Sequence, residues 1–148
     1  MLNIDDIAPA FEAADQNGIN HSLAGLLDTG PLILYFYPAD FTPVCTREAC
    51  AFRDRFEGLN ELSIQVVGVS PQAERSHQRF AEDFSLPFPL LCDEKKKIIR
   101  AYGVDGPLGF GVRRVTFYIN CDGKIAKRVV ADFSVGKHME LINKVLAG

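Results

Sequence analysis

The run PLILYFY at residues 31–37, the segment from Pro43 to about Asn60, and the run SIQVVGV at residues 63–69 decide the fold between them. The first run is continuously apolar and rich in aromatics, and the second repeats the pattern with four β-branched residues, so each reads as a central strand buried on both faces. Between them Cys45, Ala49, Phe52, Phe56 and Leu59 recur at helical spacing and make one apolar stripe. Strand, helix and strand form a crossover unit, which implies parallel pairing and a right-handed connection.

Working outward, Ser70-Pro71 offers an N-cap followed by a first helical proline, so a helix is expected from there to about Asp83. Leu86-Pro87-Phe88-Pro89 ends it. A short strand, Leu90 to Cys92, then leads to a helix capped by Asp93 and closed near Gly103. Four glycines and a proline make Gly103 to Gly111 a loop. Val115–Ile119 and Ile125–Val130 flank Asn120-Cys121-Asp122-Gly123, a hairpin signal because Asp-Gly tolerates the positive φ of tight turns. A helix from about Gly136 to Leu146 follows. Near the start, Phe11–Ala14 and Ile19–His21 around Asp15-Gln16-Asn17-Gly18 predict a second hairpin. The order implies one α/β domain over residues 1–148, with a mixed central sheet, helices on both faces and an N-terminal β-hairpin: a thioredoxin-like architecture.

The 148 residues are 47% apolar and 24% charged, the profile of a globular domain whose core needs no disulfide or metal. No apolar run approaches the ~20 residues of a membrane-spanning helix. Residues 1–74 carry 3 basic and 11 acidic side chains, and residues 75–148 carry 13 and 8. Apart from Lys95-Lys96-Lys97 the basic residues are scattered, and they are not interleaved with stacking aromatics, which argues for solvated faces and against a nucleic-acid surface. Acidic residues stand where a signal peptide needs basic ones, so a cytoplasmic location is expected. In a reducing compartment the four cysteines, at 45, 50, 92 and 121, are not expected to form structural disulfides. Neither they nor His21, His77 and His138 have the spacing of a zinc site, so no metal and no cofactor are expected.

The chemistry is expected at Pro38-Ala39-Asp40-Phe41-Thr42-Pro43-Val44-Cys45-Thr46-Arg47-Glu48-Ala49-Cys50, beyond the carboxyl end of the first buried strand, where crossover folds gather ligands. Thr42-Pro43 reads as an N-cap and first helical residue. That puts Cys45 in the first turn, where unpaired N–H groups and the helix dipole favour a thiolate, the reactive form of cysteine. A small buried hydrophobe on the apolar stripe is the alternative for Cys45, and a helix-stabilising hydroxyl the alternative for Thr42. Cys50 lies ~140° around the helix and about 8.6 Å away between Cα atoms, beyond the ~7 Å a disulfide spans. A bond between the two would require the first turns to unwind.

Pro38, Thr42 and Cys45, as P-x-x-x-T-x-x-C after a YFYP strand end, resemble the peroxidatic motif of the peroxiredoxins, and Cys50 resembles the resolving cysteine of their Q-type subfamily, the bacterioferritin comigratory proteins. The resemblance covers essentially the whole chain, including residues 88–94 and 114–123. It implies that Cys45 attacks a hydroperoxide and becomes a sulfenic acid, that Cys50 resolves it as an intramolecular disulfide, and that thioredoxin or a similar dithiol re-reduces it. Thr42 and the Cys45 N–H would be donors, Pro38 a shield from water, Arg114 the stabilising guanidinium and Glu48 its positioning partner. Strand alternation allows only one of Arg113 and Arg114 to face Cys45. Val44, where many Q-type sequences have glycine, resembles the single-cysteine subfamily. The short C-terminus, without the extension of other subfamilies, suits the Q type and a monomer or weak homodimer. Cys92 and Cys121 match no resolving position, and the three histidines lie outside the motif. Two readings stay open beside the leading one: a single-cysteine peroxidase with Cys50 idle, and a redox-sensing module without turnover.

Overall fold

A computed structural model describes residues 1–148. The chain opens with an antiparallel hairpin, β1 (Glu12–Ala14) and β2 (Asn20–Ser22), and continues through α1 (Leu23–Thr29), β3 (Leu32–Phe36), α2 (Pro43–Glu61) and β4 (Gln65–Ser70). Then come α3 (Glu74–Asp83), β5 (Leu90–Cys92), α4 (Lys97–Ala101), β6 (Val115–Ile119), β7 (Ile125–Val130) and α5 (Val135–Ala147). Five strands form one sheet in the order β5-β4-β3-β6-β7. β3 pairs with β4 and β4 with β5 in parallel, whereas β6 is antiparallel to β3 and to β7, so the sheet is mixed as expected. Asn120 and Gly123 close the β6–β7 hairpin, with Gly123 at φ 85°.

Because β3 is buried along its whole length, its alternating side chains feed two cores. Leu32, Leu34 and Phe36 pack with α1 and α4, against Leu26, Ile99 and Tyr102. Ile33, Tyr35 and Tyr37 pack on the other face with α2, α3 and α5, among Phe52, Phe80 and Ile142. Phe52, fully buried, stacks on Tyr35 with ring centroids 4.4 Å apart, and burying such a side chain contributes about 1.5–3 kcal/mol. Tyr35 also needs the missing side chain of Gly68 on the neighbouring strand. A Cβ there would lie 2.9 Å from both the Tyr35 ring and Leu90.

One expectation needs correction. The helix expected at Ser70-Pro71 begins at Glu74, because Ser70 is the last residue of β4, pairs with Cys92, and gives its carbonyl to the Asp93 N–H at 3.0 Å. Sheet pairing outcompetes capping at that residue. The capping expected of Asp93 is present, its carboxylate accepting from the Ile99 N–H at 2.8 Å in the first turn of α4, although the N-cap position itself is Lys96. The helix α1, capped by Ser22, was not foreseen, since its seven residues bury only Leu23 and Leu26 and leave too little periodicity to read.

Candidate active site

The carboxyl end of β3 leads into the motif loop, and Phe41, at φ 65°, turns the chain into α2. A non-glycine residue in that region stores strain, held here by the Phe41 ring packing on Phe80 and Phe84. Thr42 takes the N-cap position and Pro43 follows as the first helical residue, as the sequence implied. The Thr42 hydroxyl makes no capping bond, however. It donates back to the Ala39 carbonyl at 3.2 Å, so it braces the loop and is hydrogen-bonded to neither the helix end nor the sulfur. The first helical bond runs from the Thr46 N–H to the Thr42 carbonyl at 2.8 Å, and the Val44 and Cys45 N–H groups take no acceptor in the chain.

Cys45 is 1% exposed and faces the sheet. Arg114, at the entry to β6, donates from Nη2 to Cys45 Sγ at 3.1 Å and from Nη1 to Glu48 Oε1 at 2.8 Å. Its Nε donates to the Asp132 carbonyl at 3.0 Å. The guanidinium is thus fixed by three residues, Cys45 and Glu48 about one turn apart on α2 and Asp132 beyond β7. Burial pulls the Arg114 ionisation down, but the charges of Glu48 and Cys45 outweigh it and hold it above the usual arginine range. Arg113 faces away and pairs with the Asp132 carboxylate on the surface, Nη2 to Oδ2 at 2.9 Å.

Glu48 has no exposure. Burial pushes its carboxyl up to about 7 against the opposing pull of Arg114. Its second oxygen, Oε2, has no hydrogen-bond donor and lies 3.6 Å from His138 Nδ1. His138, from α5, sends Nε2 to the Ala131 carbonyl at 2.9 Å and places Nδ1 2.7 Å from the Thr116 hydroxyl. A carbonyl only accepts, so Nε2 carries the hydrogen and Nδ1 accepts from Thr116 in the neutral ring. Burial holds His138 below the usual histidine range.

A second buried cluster anchors the loop from behind. Asp40 accepts from Tyr37 at 2.6 Å and from Ser76 at 2.7 Å, and lies 2.7 Å from His77 Nδ1. The other nitrogen of His77 faces the Leu91 carbonyl at 3.0 Å. The motif loop is thereby tied to α3 and β5. In front, Pro38, Thr42, Pro43, Val44, Arg114 and Phe133 line an open cavity of about 430 Å³ through which a small molecule can approach. The sequence residues Pro38, Thr42, Cys45, Glu48 and Arg114 therefore converge, whereas Cys50 lies half-buried farther along the unbroken helix.

All four cysteines are free thiols in this structure. A thiol in the first turn of a helix, bonded to a buried guanidinium that a glutamate holds in place, needs only a family to give it context. Residues 4–128 match the family model AhpC/TSA. The chain belongs to the AhpC/TSA family as a Q-type peroxiredoxin. This peroxiredoxin is 39% identical over 142 residues to the chloroplastic peroxiredoxin Q of Gentiana triflora, covering 95% of the chain but only 64% of that protein's length. It is likewise 39% identical over 140 residues to the chloroplastic peroxiredoxin Q of Sedum lineare, covering 93% of the chain and 74% of that protein. Its structure matches the crystal structure of peroxidoxin BcpB from Mycobacterium tuberculosis with a TM-score of 0.92 and 36% identity, over 99% of this chain and 97% of the other.

Sequence reasoning missed four residues of this peroxiredoxin's site region: Thr116, Asp132, His138 and His77. One signal was available for His138. It falls on the apolar stripe of α5 with Leu141, Ile142 and Val145, and a histidine in such a row needs a buried polar partner. No group of three or more His, Cys, Asp or Glu side chains is arranged to hold a metal ion, and no helix is long and apolar enough to cross a membrane.

Proposed function

We propose that this chain is a thiol-dependent hydroperoxide reductase in which Cys45 is the peroxidatic residue and Cys50 the resolving one. The observation that carries the reading is the 3.1 Å bond from Arg114 to Cys45 Sγ, a charge-assisted contact that favours the thiolate. The thiolate attacks the terminal oxygen of a hydroperoxide, the S–O bond forms as the O–O bond breaks, and the departing alkoxide or hydroxide takes up a proton. Arg114 and the free Val44 and Cys45 N–H groups offer donors for the negative charge that develops on the oxygens. Pro38 shields the sulfur from bulk water, Thr42 braces the loop, and Glu48 positions Arg114. Cys50 then attacks the sulfenic sulfur, releasing water and leaving a disulfide. Two electrons from thioredoxin or a similar dithiol restore both thiols. The electrons come from sulfur throughout, so the reaction uses no cofactor. We assign the substrate to hydrogen peroxide and alkyl hydroperoxides, the location to the cytoplasm, and the assembly to a monomer or weak homodimer, with no nucleic-acid or membrane partner.

A second reading has one observation in its favour: α2 is continuous through both cysteines, so Cys50 is out of reach of Cys45 until the helix opens. A single-cysteine peroxidase would leave Cys50 idle. Mass spectrometry after one equivalent of peroxide separates the two, a 45–50 disulfide supporting the first and a lasting Cys45 sulfenic acid with free Cys50 the second. Steady-state peroxide consumption with a thioredoxin system is expected to continue through many cycles. Consumption that stops after one cycle per chain overturns the enzymatic assignment, and consumption that survives Cys45→Ser overturns the assignment of Cys45 and moves the active site elsewhere.

A further inference from the structure

The mechanism above uses one oxygen of Glu48 and leaves the other without a donor, facing a histidine from a helix some ninety residues away in the chain. We propose that Glu48 and His138 are a positioning pair that holds one proton between them in step with the charge on Cys45, taking it up when the thiolate forms and releasing it when the thiolate is consumed. The inference rests on Cys45 being the reactive thiolate of the proposed function.

The geometry leaves room for one hydrogen. Arg114 occupies Glu48 Oε1, while Oε2 lies 3.6 Å from His138 Nδ1. In the unprotonated pair the Nδ1 lone pair already takes the Thr116 hydroxyl, and Oε2 has no donor. A proton on Nδ1 serves Oε2 and the Thr116 oxygen together. A proton on Oε2 faces Nδ1 across the same 3.6 Å and is accepted there once the Thr116 hydroxyl rotates away from that lone pair. Either placement removes the orphaned acceptor, which in a buried site is costly to leave unmade.

Charge balance gives the coupling its sign. With Cys45 as a thiol, Arg114 and Glu48 cancel. With Cys45 as a thiolate the buried group carries two negative charges and one positive, an excess that burial penalises heavily. Cys45, Glu48 and His138 are 1%, 0% and 0% exposed, and Arg114 is 4% exposed, so solvent screens little of it. One proton on the pair restores neutrality. The other groups facing the pair do not replace it. Tyr35, from β3, has an unpartnered hydroxyl whose ionisation is pushed up by burial and by the Glu48 and Cys45 charges, so it stays neutral. Asp132 already serves Arg113, and Arg114 itself opposes a charge on His138. During peroxide cleavage the thiolate electron pair goes into the S–O bond and the O–O bond breaks. The alkoxide takes up one proton as it leaves, and the pair releases one as the thiolate charge disappears.

The coupling is read without peroxide, by following the His138 imidazole carbons and nitrogens by NMR as a function of pH in the reduced protein. At an effective dielectric of about 20 and a separation of about 8 Å, the thiolate changes the pair's proton affinity roughly thirtyfold, a displacement of about 1.5 pH units. The pair titrates as a unit, so the displacement belongs to the pair and not to one residue. Cys45→Ser is expected to move the His138 transition toward acid by about that amount, and Glu48→Gln to shift it toward acid as well, by removing the second negative charge that faces the ring. Linkage is reciprocal, so His138→Gln is expected to move the pH at which thiolate absorbance appears upward. Coincident His138 transitions in the parent and Cys45→Ser proteins, both folded, would overturn the proposal. Because no turnover is involved, that outcome leaves the peroxidase assignment standing, and failed turnover with intact coupling would do the reverse.

Discussion

Oxidation of Cys45 and Cys50 to a disulfide is expected to dismantle the first turns of α2. Five residues of ideal helix put their Cα atoms about 8.6 Å apart and the side chains ~140° apart around the axis, whereas bridged Cα atoms lie within ~7 Å. No choice of rotamers closes that gap, so the backbone must move. Unwinding through Cys50 breaks the helical bonds of the amides of Thr46 to Arg53 to the carbonyls four residues back, eight bonds at about 1 kcal/mol each, or roughly 8 kcal/mol. It also draws Glu48 and Ala49, 0% and 1% exposed, out of the interior and breaks the 2.8 Å contact between Glu48 and Arg114. Set against a disulfide free of such cost, at about −300 mV, 8 kcal/mol raises the reduction potential by roughly 170 mV, to about −130 mV. A dithiol near −270 mV then reduces it readily. Pro43 has no N–H to lose, and Val44 and Thr46 are β-branched, which favours opening at this end. Phe52 and Leu59, both fully buried, are expected to hold the remainder of the helix. Hydrogen exchange read by mass spectrometry should show lost protection across residues 46–53 on oxidation and unchanged protection from Asp54 onward. An oxidised protein that carries the 45–50 disulfide yet protects residues 46–53 as the reduced one does would refute the reasoning.

Arg114→Ala is expected to slow the reaction with peroxide by roughly 100-fold and to cost about 3–5 kcal/mol of stability by leaving Glu48 buried and unpaired. Arg113→Ala loses only a surface pair with Asp132, so rate and stability should stay within about twofold and 1 kcal/mol; competition kinetics and urea unfolding measure both, and the reverse ranking would assign the wrong arginine. Burial raises the folded-state Glu48 carboxyl from its ordinary value of 4.5 to about 7, so its contribution to stability is full below pH 4.5 and is lost as pH rises through 7. Stability relative to the non-titrating Glu48→Gln variant should therefore fall by roughly 3 kcal/mol across that window, and a difference that stays flat in urea unfolding from acid to mildly alkaline pH counts against it. Gly68→Ala sets a methyl 2.9 Å from the Tyr35 ring and from Leu90, so calorimetry should show a loss of about 1–3 kcal/mol.

The sequence by itself determined the crossover unit, because two apolar runs around an amphipathic stripe can bury themselves in few other ways. It also fixed Cys45 in a first helical turn, since Thr42-Pro43 starts a helix by rules that act within one turn. Those local rules failed at Ser70 and at α1, where a strand pairing and a two-residue apolar face overrode or hid the signal. Alternation limited the active arginine to one of two neighbours, and the resemblance to peroxiredoxins pointed to Arg114. Its contacts with Cys45 and Glu48 exist only in the fold, for Arg114 and Glu48 are 66 residues apart and meet because β6 pairs antiparallel to β3. His138, Thr116 and Asp132 join the site region for the same reason. A side chain's partners across a sheet depend on strand order, and strand order is set by the burial of the whole core, which no short stretch of sequence encodes.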